Sequence, residues 1–226
     1  MKVIGLLGKK GSGKGTVAEA LVGIGYKEIA FADPLYEEAA EAFSVSVESL
    51  KVRETKETPL SALKLTLCKD AKFFGIAHQW CVDAKNASNG QGGFMVSPLD
   101  GHFFISPRLL LQLWGTEFRR KDDNLYWVKA LHERVKQLSR EAGQGIVISD
   151  VREAMEAAYV KRRDNGSVWK IIRPNNPYEG VGTGQHSSET QVDTIAYDHI
   201  LCNKGSIADL KTSAVELEEK IELFGK

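Results

Sequence analysis

Apolar positions alternate with polar ones along this chain in two distinct rhythms. Lys2 to Leu7 is a short β-branched apolar run and predicts a buried strand. Thr16 to Val22 has helical composition and ends near Gly23 and Gly25. Tyr26 to Ala32 predicts a second strand, stopped by Asp33-Pro34. Strand, glycine loop, helix and strand in succession open an α/β parallel sheet. Pro34 to Phe43 reads as helix, Val45 to Pro59 as charged and irregular, and Ser61 to about Val82 as helix. In the last of these, Leu63, Leu67, Ala71 and Phe74 recur three or four apart. Asn86 to His102, rich in Gly, Asn and Ser, reads as a surface loop.

Ser106-Pro107 predicts a helix start, because serine suits the N-cap and proline the first helical position. Asp122-Asp123 caps the next helix, Leu125 to Glu141. Gly145 to Ser149 predicts a buried strand, Glu153 to Arg163 a helix and Val168 to Ile172 another strand. After a long loop from Pro174 to Gln185, His199 to Cys202 predicts a last strand and Ile207 to Leu223 a C-terminal helix.

The chain has 226 residues, which fits one domain with an inserted subdomain. At 42% hydrophobic it can bury a core. Its 30 basic and 30 acidic residues cancel, which argues against a dedicated nucleic-acid binder. Cys68, Cys81 and Cys202 form no CxxC pair and read as reduced thiols. His78 lies near Cys81, but the close recurrent spacing of a zinc site is absent. The N-terminus is not a secretory signal, and no apolar stretch approaches the ~20 residues that span a bilayer. A soluble, cytoplasmic protein is expected.

The chemistry concentrates first in Gly8-Lys-Lys10-Gly11-Ser12-Gly13-Lys14-Gly15-Thr16, between a predicted strand and a predicted helix. That context marks a phosphate-binding P-loop. Glycines let the backbone turn so that N–H groups converge on phosphate oxygens, and the helix adds its positive end. Lys14 is expected between the β- and γ-phosphates of ATP, where charge shifts during transfer. Gly15 stands where the general pattern has Ser or Thr, so the hydroxyl for magnesium is that of Thr16, acting directly or through water. This variant resembles the loop of nucleoside monophosphate kinases.

Ligands of open α/β sheets sit at the carboxyl ends of the strands. Asp33, Asp150 and Arg173 fall at such ends, with Arg152 two residues beyond Asp150. The acids would hold magnesium or orient an acceptor, and Arg152 would pair with an acceptor phosphate. A helix cap for Asp150 and a surface ion pair for Arg152 are the competing readings. Arg108 lies near a helix start, where a cation is disfavoured unless an anion joins it. Arg108 and Arg119 share a helical face about 16 Å apart. They reach one small ligand only if the helix breaks near Gly115 or if they serve different phosphates.

The blocks GKKGSGKGT, FADPL, SPRLLLQLWGTE, YW, SDVREAME and HSSE together resemble the deoxynucleoside monophosphate kinases of bacteriophages. The resemblance runs from the N-terminus to about residue 203. It implies a three-layer P-loop kinase sandwich with a parallel central sheet, an acceptor-binding insertion over 34–105 and a lid over about 174–190. It implies transfer of the γ-phosphoryl group of ATP, with Mg2+, to a deoxynucleoside monophosphate. The donor residues would be Gly11, Ser12, Gly13, Lys14, Gly15, Thr16 and Asn203. Arg108 would bind the acceptor phosphate, Gly115 and Thr116 the nucleotide, and Trp127 would pack near base or sugar. Asp150, Arg152 and Glu156 would bind base, sugar or phosphate, and Lys10 would approach the acceptor phosphate. Asp33, Arg53 and Lys56 complete the acceptor set, a solvated charged stretch being the alternative for the last two.

The expected reaction is in-line attack by a dianionic acceptor phosphate, which needs no strong base. Lys14, Arg108, Arg152 and Arg173 would spread the developing charge. A homodimer follows from the resemblance alone, and the cytoplasm expected above would be the host's if the chain is phage-encoded. Two other readings stay open: another small-molecule kinase of the same fold, such as a dephospho-coenzyme A kinase, and a non-catalytic nucleotide-binding switch.

Overall fold

A computed structural model describes residues 1–87, 92–140, 143–177 and 192–225. The chain forms two compact units. One comprises Met1–Phe31 with Val128–Lys226, and the other Ala32–Trp127. The second contains the whole of 34–105 and adds residues 32–33 and 106–127.

The first unit is built on five parallel strands: β1 (Lys2–Leu7), β2 (Tyr26–Ile29), β5 (Gly145–Val151), β6 (Asn165–Ile172) and β7 (His199–Cys202). Their order is β2-β5-β1-β6-β7, so β1 is central. Its side chains serve both faces. Val3 and Leu7 join Leu131, Val135 and Val160 in one core cluster, alongside α6 (Tyr126–Leu138) and α7 (Ala154–Lys161). Ile4 and Leu6 join Val17, Leu21, Leu210 and Ala214 in the other, alongside α1 (Lys14–Gly23) and α8 (Ile207–Phe224). A strand buried on both faces must be apolar throughout, which explains the unbroken run in the sequence. This is the expected three-layer α/β sandwich. Across the second cluster's edge, Glu218 accepts from Tyr26 Oη and from Lys2 Nζ, both at 2.5 Å.

The second unit holds α2 (Asp33–Phe43), α3 (Val47–Lys51), α4 (Ala71–Asn86), the strand pair β3 (Phe94–Val96) and β4 (Phe103–Ile105), and α5 (Pro107–Gln112). From α5 the chain continues as a π-helix, Leu113–Arg120. Ser106 caps α5 by accepting from Leu109 N at 3.2 Å, with Pro107 in the first turn as expected.

Three local expectations are corrected. Residues 61–67 are two single 3₁₀ turns, and α4 begins only at Ala71, capped by Asp70. Leu63 and Leu65 are buried while Leu67 is 54% exposed, so the expected helical stripe of Leu63 and Leu67 does not form. The segment lies against β4 through a bridge between Lys64 and Phe104. The supposed loop 86–102 carries β3, whose Phe94 and Val96 pair with Ile105 and Phe103. Residues 45–59 include the one-and-a-half turns of α3, capped by Ser46.

Candidate active site

The phosphate loop lies where β1 gives way to α1. Gly11 and Gly13 adopt φ of 77° and 109°, conformations that side-chain-bearing residues rarely enter. Between them Ser12 N donates to Lys9 O at 3.2 Å, closing a turn. Lys14 folds its ammonium back onto the carbonyls of Gly8 (2.6 Å) and Lys9 (3.1 Å). The first turn of α1 carries no acidic residue, so nothing there quenches the positive end of the helix. Ser12 Oγ is buried with no hydrogen-bond partner among the described residues. An orphaned hydroxyl inside such a loop is a ready donor for an anion. Gly15 is exposed, Thr16 half-buried and Lys10 exposed.

Behind the loop stand residues from the ends of β6 and β7. Asn176 Nδ2 donates to Lys10 O at 2.7 Å, and Asn203 Nδ2 to Ser12 O at 3.0 Å. Arg173 Nη1 lies 3.4 Å from Gly11 O. Asp193 bridges Lys9 (3.1 Å) and Lys170 (3.2 Å), and the hydrogen bond from Lys9 holds its carboxyl below the usual range. A cavity of about 130 Å³ lies among Gly8, Ser12, Ile171, Asn176 and Asp193. Asn203 therefore holds the loop through the Ser12 carbonyl. Residues 178–190 of the expected lid lie outside the described residues.

At the end of β5, Asp150 Oδ1 accepts from Phe31 N at 2.6 Å, tying the chain just past β2 to the strand beside it. The helix cap that competed for Asp150 belongs to Glu153 instead. Glu156 is buried, and its Oε2 accepts from Arg152 N (2.8 Å) and Glu153 N (3.2 Å), closing a capping box. The Arg152 side chain is exposed. The box thus sets the backbone from which Arg152 projects.

The second unit gathers its own cations. Arg108 is ion-paired with Glu57, which supplies the anion that the helix start called for. Arg108 N also donates to Lys56 O at 2.9 Å. Lys56 Nζ in turn donates to Tyr36 Oη at 2.9 Å. Asp33 lies 3.7 Å from Lys51, and Arg53 is exposed. The helix does not break near Gly115 but widens into the π form over Leu113–Arg120. Gly115 O accepts from the indole of Trp127 at 3.2 Å, and Trp127 is buried, while Thr116 is exposed.

Arg119 is committed elsewhere. Glu38 accepts from Arg119 Nε (2.8 Å), Trp114 Nε1 (2.9 Å) and Tyr126 Oη (2.5 Å). Burial first, then the Glu38 hydrogen bond, pushes the Tyr126 phenol up to about 12. Glu38, Tyr36, Asp193 and Asn176 escaped the sequence reading. Only Asn176 left a usable sign, its position just past a strand's carboxyl end.

Several known proteins are similar to this chain. The sequence pattern describing deoxynucleotide monophosphate kinases matches residues 96–214. A protein of Acanthamoeba polyphaga mimivirus, provisionally named a deoxynucleotide monophosphate kinase, is 31% identical over 219 residues, 95% of each chain. The deoxynucleoside-5'-monophosphate kinase of Escherichia phage T5 is 27% identical over 231 residues, 89% of each chain. The crystal structure of TT1252 from Thermus thermophilus aligns over 97% of both chains at 19% identity, with a TM-score of 0.45.

Proposed function

Because the chain belongs to the deoxynucleotide monophosphate kinase family, we propose that it transfers the γ-phosphoryl group of ATP to a deoxynucleoside monophosphate. The products are the deoxynucleoside diphosphate and ADP. The observation that carries the reading is the loop after β1. It combines two left-handed glycines, an orphaned serine hydroxyl and a lysine ammonium at a helix start.

Gly11, Ser12, Gly13, Gly15 and Thr16 take the donor phosphates, and Lys14 exchanges the carbonyls of Gly8 and Lys9 for β- and γ-phosphate oxygens. On the first unit, Lys10, Asp150, Arg152 and Glu156 serve the acceptor, with Glu156 acting through the backbone of Arg152. On the second, Lys56 and Arg108 are its phosphate ligands, joined by Asp33, Arg53, Gly115, Thr116 and Trp127. An acceptor phosphate oxygen attacks the γ-phosphorus, one P–O bond forms, and the bond to the β-phosphate oxygen breaks. The protein's task is positioning and charge stabilisation.

Magnesium suits this arrangement. Among the described residues no group of three acidic, histidine or cysteine side chains could cage a metal ion. A hard ion that keeps several waters and leans on substrate phosphates requires little more than the hydroxyl of Thr16. Held there, the ion would supply neutralisation of charge on the donor phosphates.

The test is ADP release with ATP, magnesium and a panel of deoxynucleoside and ribonucleoside monophosphates, with products resolved by chromatography. The expected result is diphosphate product from at least one deoxynucleotide, reduced at least about a hundredfold in Lys14→Ala. Folded protein that binds ATP yet forms no acceptor-dependent ADP refutes the proposal.

A further inference from the structure

We infer that Asn176 and Asn203 are positioning residues that aim the Gly11 and Gly13 amides at the donor phosphates. The inference deepens the reading of the β1–α1 loop as a phosphate site, and rests on it. A trans peptide is planar, so the C=O of one residue and the N–H of the next point to opposite sides. Asn176 holds Lys10 O at 2.7 Å, and that fixes the direction of Gly11 N–H, away from its anchor. Asn203 holds Ser12 O at 3.0 Å and does the same for Gly13 N–H. The amide between them, Ser12 N–H, is taken by Lys9 O. The two anchors therefore act on alternate peptides.

Glycine is what makes anchors necessary. Gly11 and Gly13 sit at φ of 77° and 109°, where only glycine is at ease, yet glycine is equally at ease in many other conformations. Without an external hold, each phosphate would have to order these peptides as it bound. The anchors come from outside the loop, at the ends of two strands. Asn176 is buried, four residues past β6, and Asn203 immediately follows β7. Both strands lie on one side of β1 in the order β1-β6-β7. The rigid sheet is thus the reference against which the loop is set. Arg173, 3.4 Å from Gly11 O, makes a longer contact to the carbonyl between the two.

The experiment is ATP binding followed by calorimetry and by the backbone amide resonances of Gly11 and Gly13 in ¹⁵N-labelled full-length protein. In the wild type both glycine amides shift on addition of ATP. Asn176→Ala is expected to weaken ATP binding roughly three- to tenfold. It abolishes or reverses the Gly11 shift and leaves that of Gly13. Asn203→Ala does the converse. A loss of packing alone would move both resonances together. If Asn176→Ala does not fold, Asn176→Asp keeps the volume, removes the donor and carries the same expectation. Wild-type affinity with both shifts intact in the folded variants overturns the inference, as does a wild type whose two amides ignore ATP. Because this is read on ATP alone, failure of phosphoryl transfer to any acceptor leaves it standing and counts only against the kinase reading.

Discussion

Replacing Gly13 by alanine should damage the protein far more than the same change two residues on. Gly13 lies at φ 109°, and a Cβ there would stand 2.7 Å from Leu210 Cδ2 and 2.9 Å from Asn203 Nδ2. Left-handed backbone costs an alanine about 1–2 kcal/mol, which no neighbour can relieve. Leu210 can yield, at the roughly 1 kcal/mol at the lower end of overpacking costs. Asn203 can yield only by leaving Ser12 O, which forfeits about 1 kcal/mol. Gly13→Ala should therefore lose on the order of 3–4 kcal/mol, at roughly 2–4 °C of Tm per kcal/mol for a chain of this size. Gly15 has a helical backbone and nothing within 4 Å of an added Cβ, so Gly15→Ala should hold or slightly raise the Tm. Thermal unfolding by circular dichroism and calorimetry compares the pair. A Gly13→Ala protein melting within 2 °C of Gly15→Ala, a gap on the order of what ~1 kcal/mol produces, would refute the reasoning.

Three further outcomes follow from single contacts. Arg152→Ala should raise KM for the acceptor at least about tenfold, since an arginine–phosphate contact is charge-assisted, with KM for ATP unchanged; equal effects on both constants would remove Arg152 from the acceptor site. Glu57→Gln frees Arg108 from an exposed ion pair, so initial-rate kinetics should show a lower acceptor KM, while stability changes by less than about 1 kcal/mol; an unchanged or higher KM contradicts the role given to Arg108. Burial, and then Glu218, holds the Tyr26 phenol well above its ordinary value. The unfolded chain releases that proton above pH ~10 while the folded chain keeps it, so this stability is whole below pH ~10 and falls as pH rises further. Tyr26→Phe should lose about 1 kcal/mol at neutral pH, and its denaturant midpoint should decline less steeply with alkali than the wild type's, a parallel decline disproving the linkage.

The elements that sequence reveals best are those whose signal is local. The run KVIGLL, the glycine loop and the Ser106-Pro107 start are each specified by neighbours in the chain, and each folds as expected. Periodicity misled over 61–67, where two 3₁₀ turns and a bridge to β4 bury Leu63 and Leu65 and leave Leu67 exposed, although the composition suits a continuous helix. The hairpin β3–β4 hid among turn-forming residues, because a three-residue strand leaves too short an alternation to stand out.

For the site, chain neighbours determine which residues carry charge and which backbone must be glycine. Gly11, Gly13 and Lys14 are functional candidates in any fold that places a strand before them and a helix after. What sequence does not contain is which groups satisfy one another. That Glu57 holds Arg108, Glu38 claims Arg119, and Asn176 steadies Lys10 depends on contacts far apart in the chain. A hydrogen bond acts over about 3 Å, and the separation of Lys10 and Asn176 along the chain says nothing of that distance until β1 and β6 pair. The phosphate loop was thus legible from its own residues, and the side chains that hold it in shape became visible only once the sheet had brought its strand ends together.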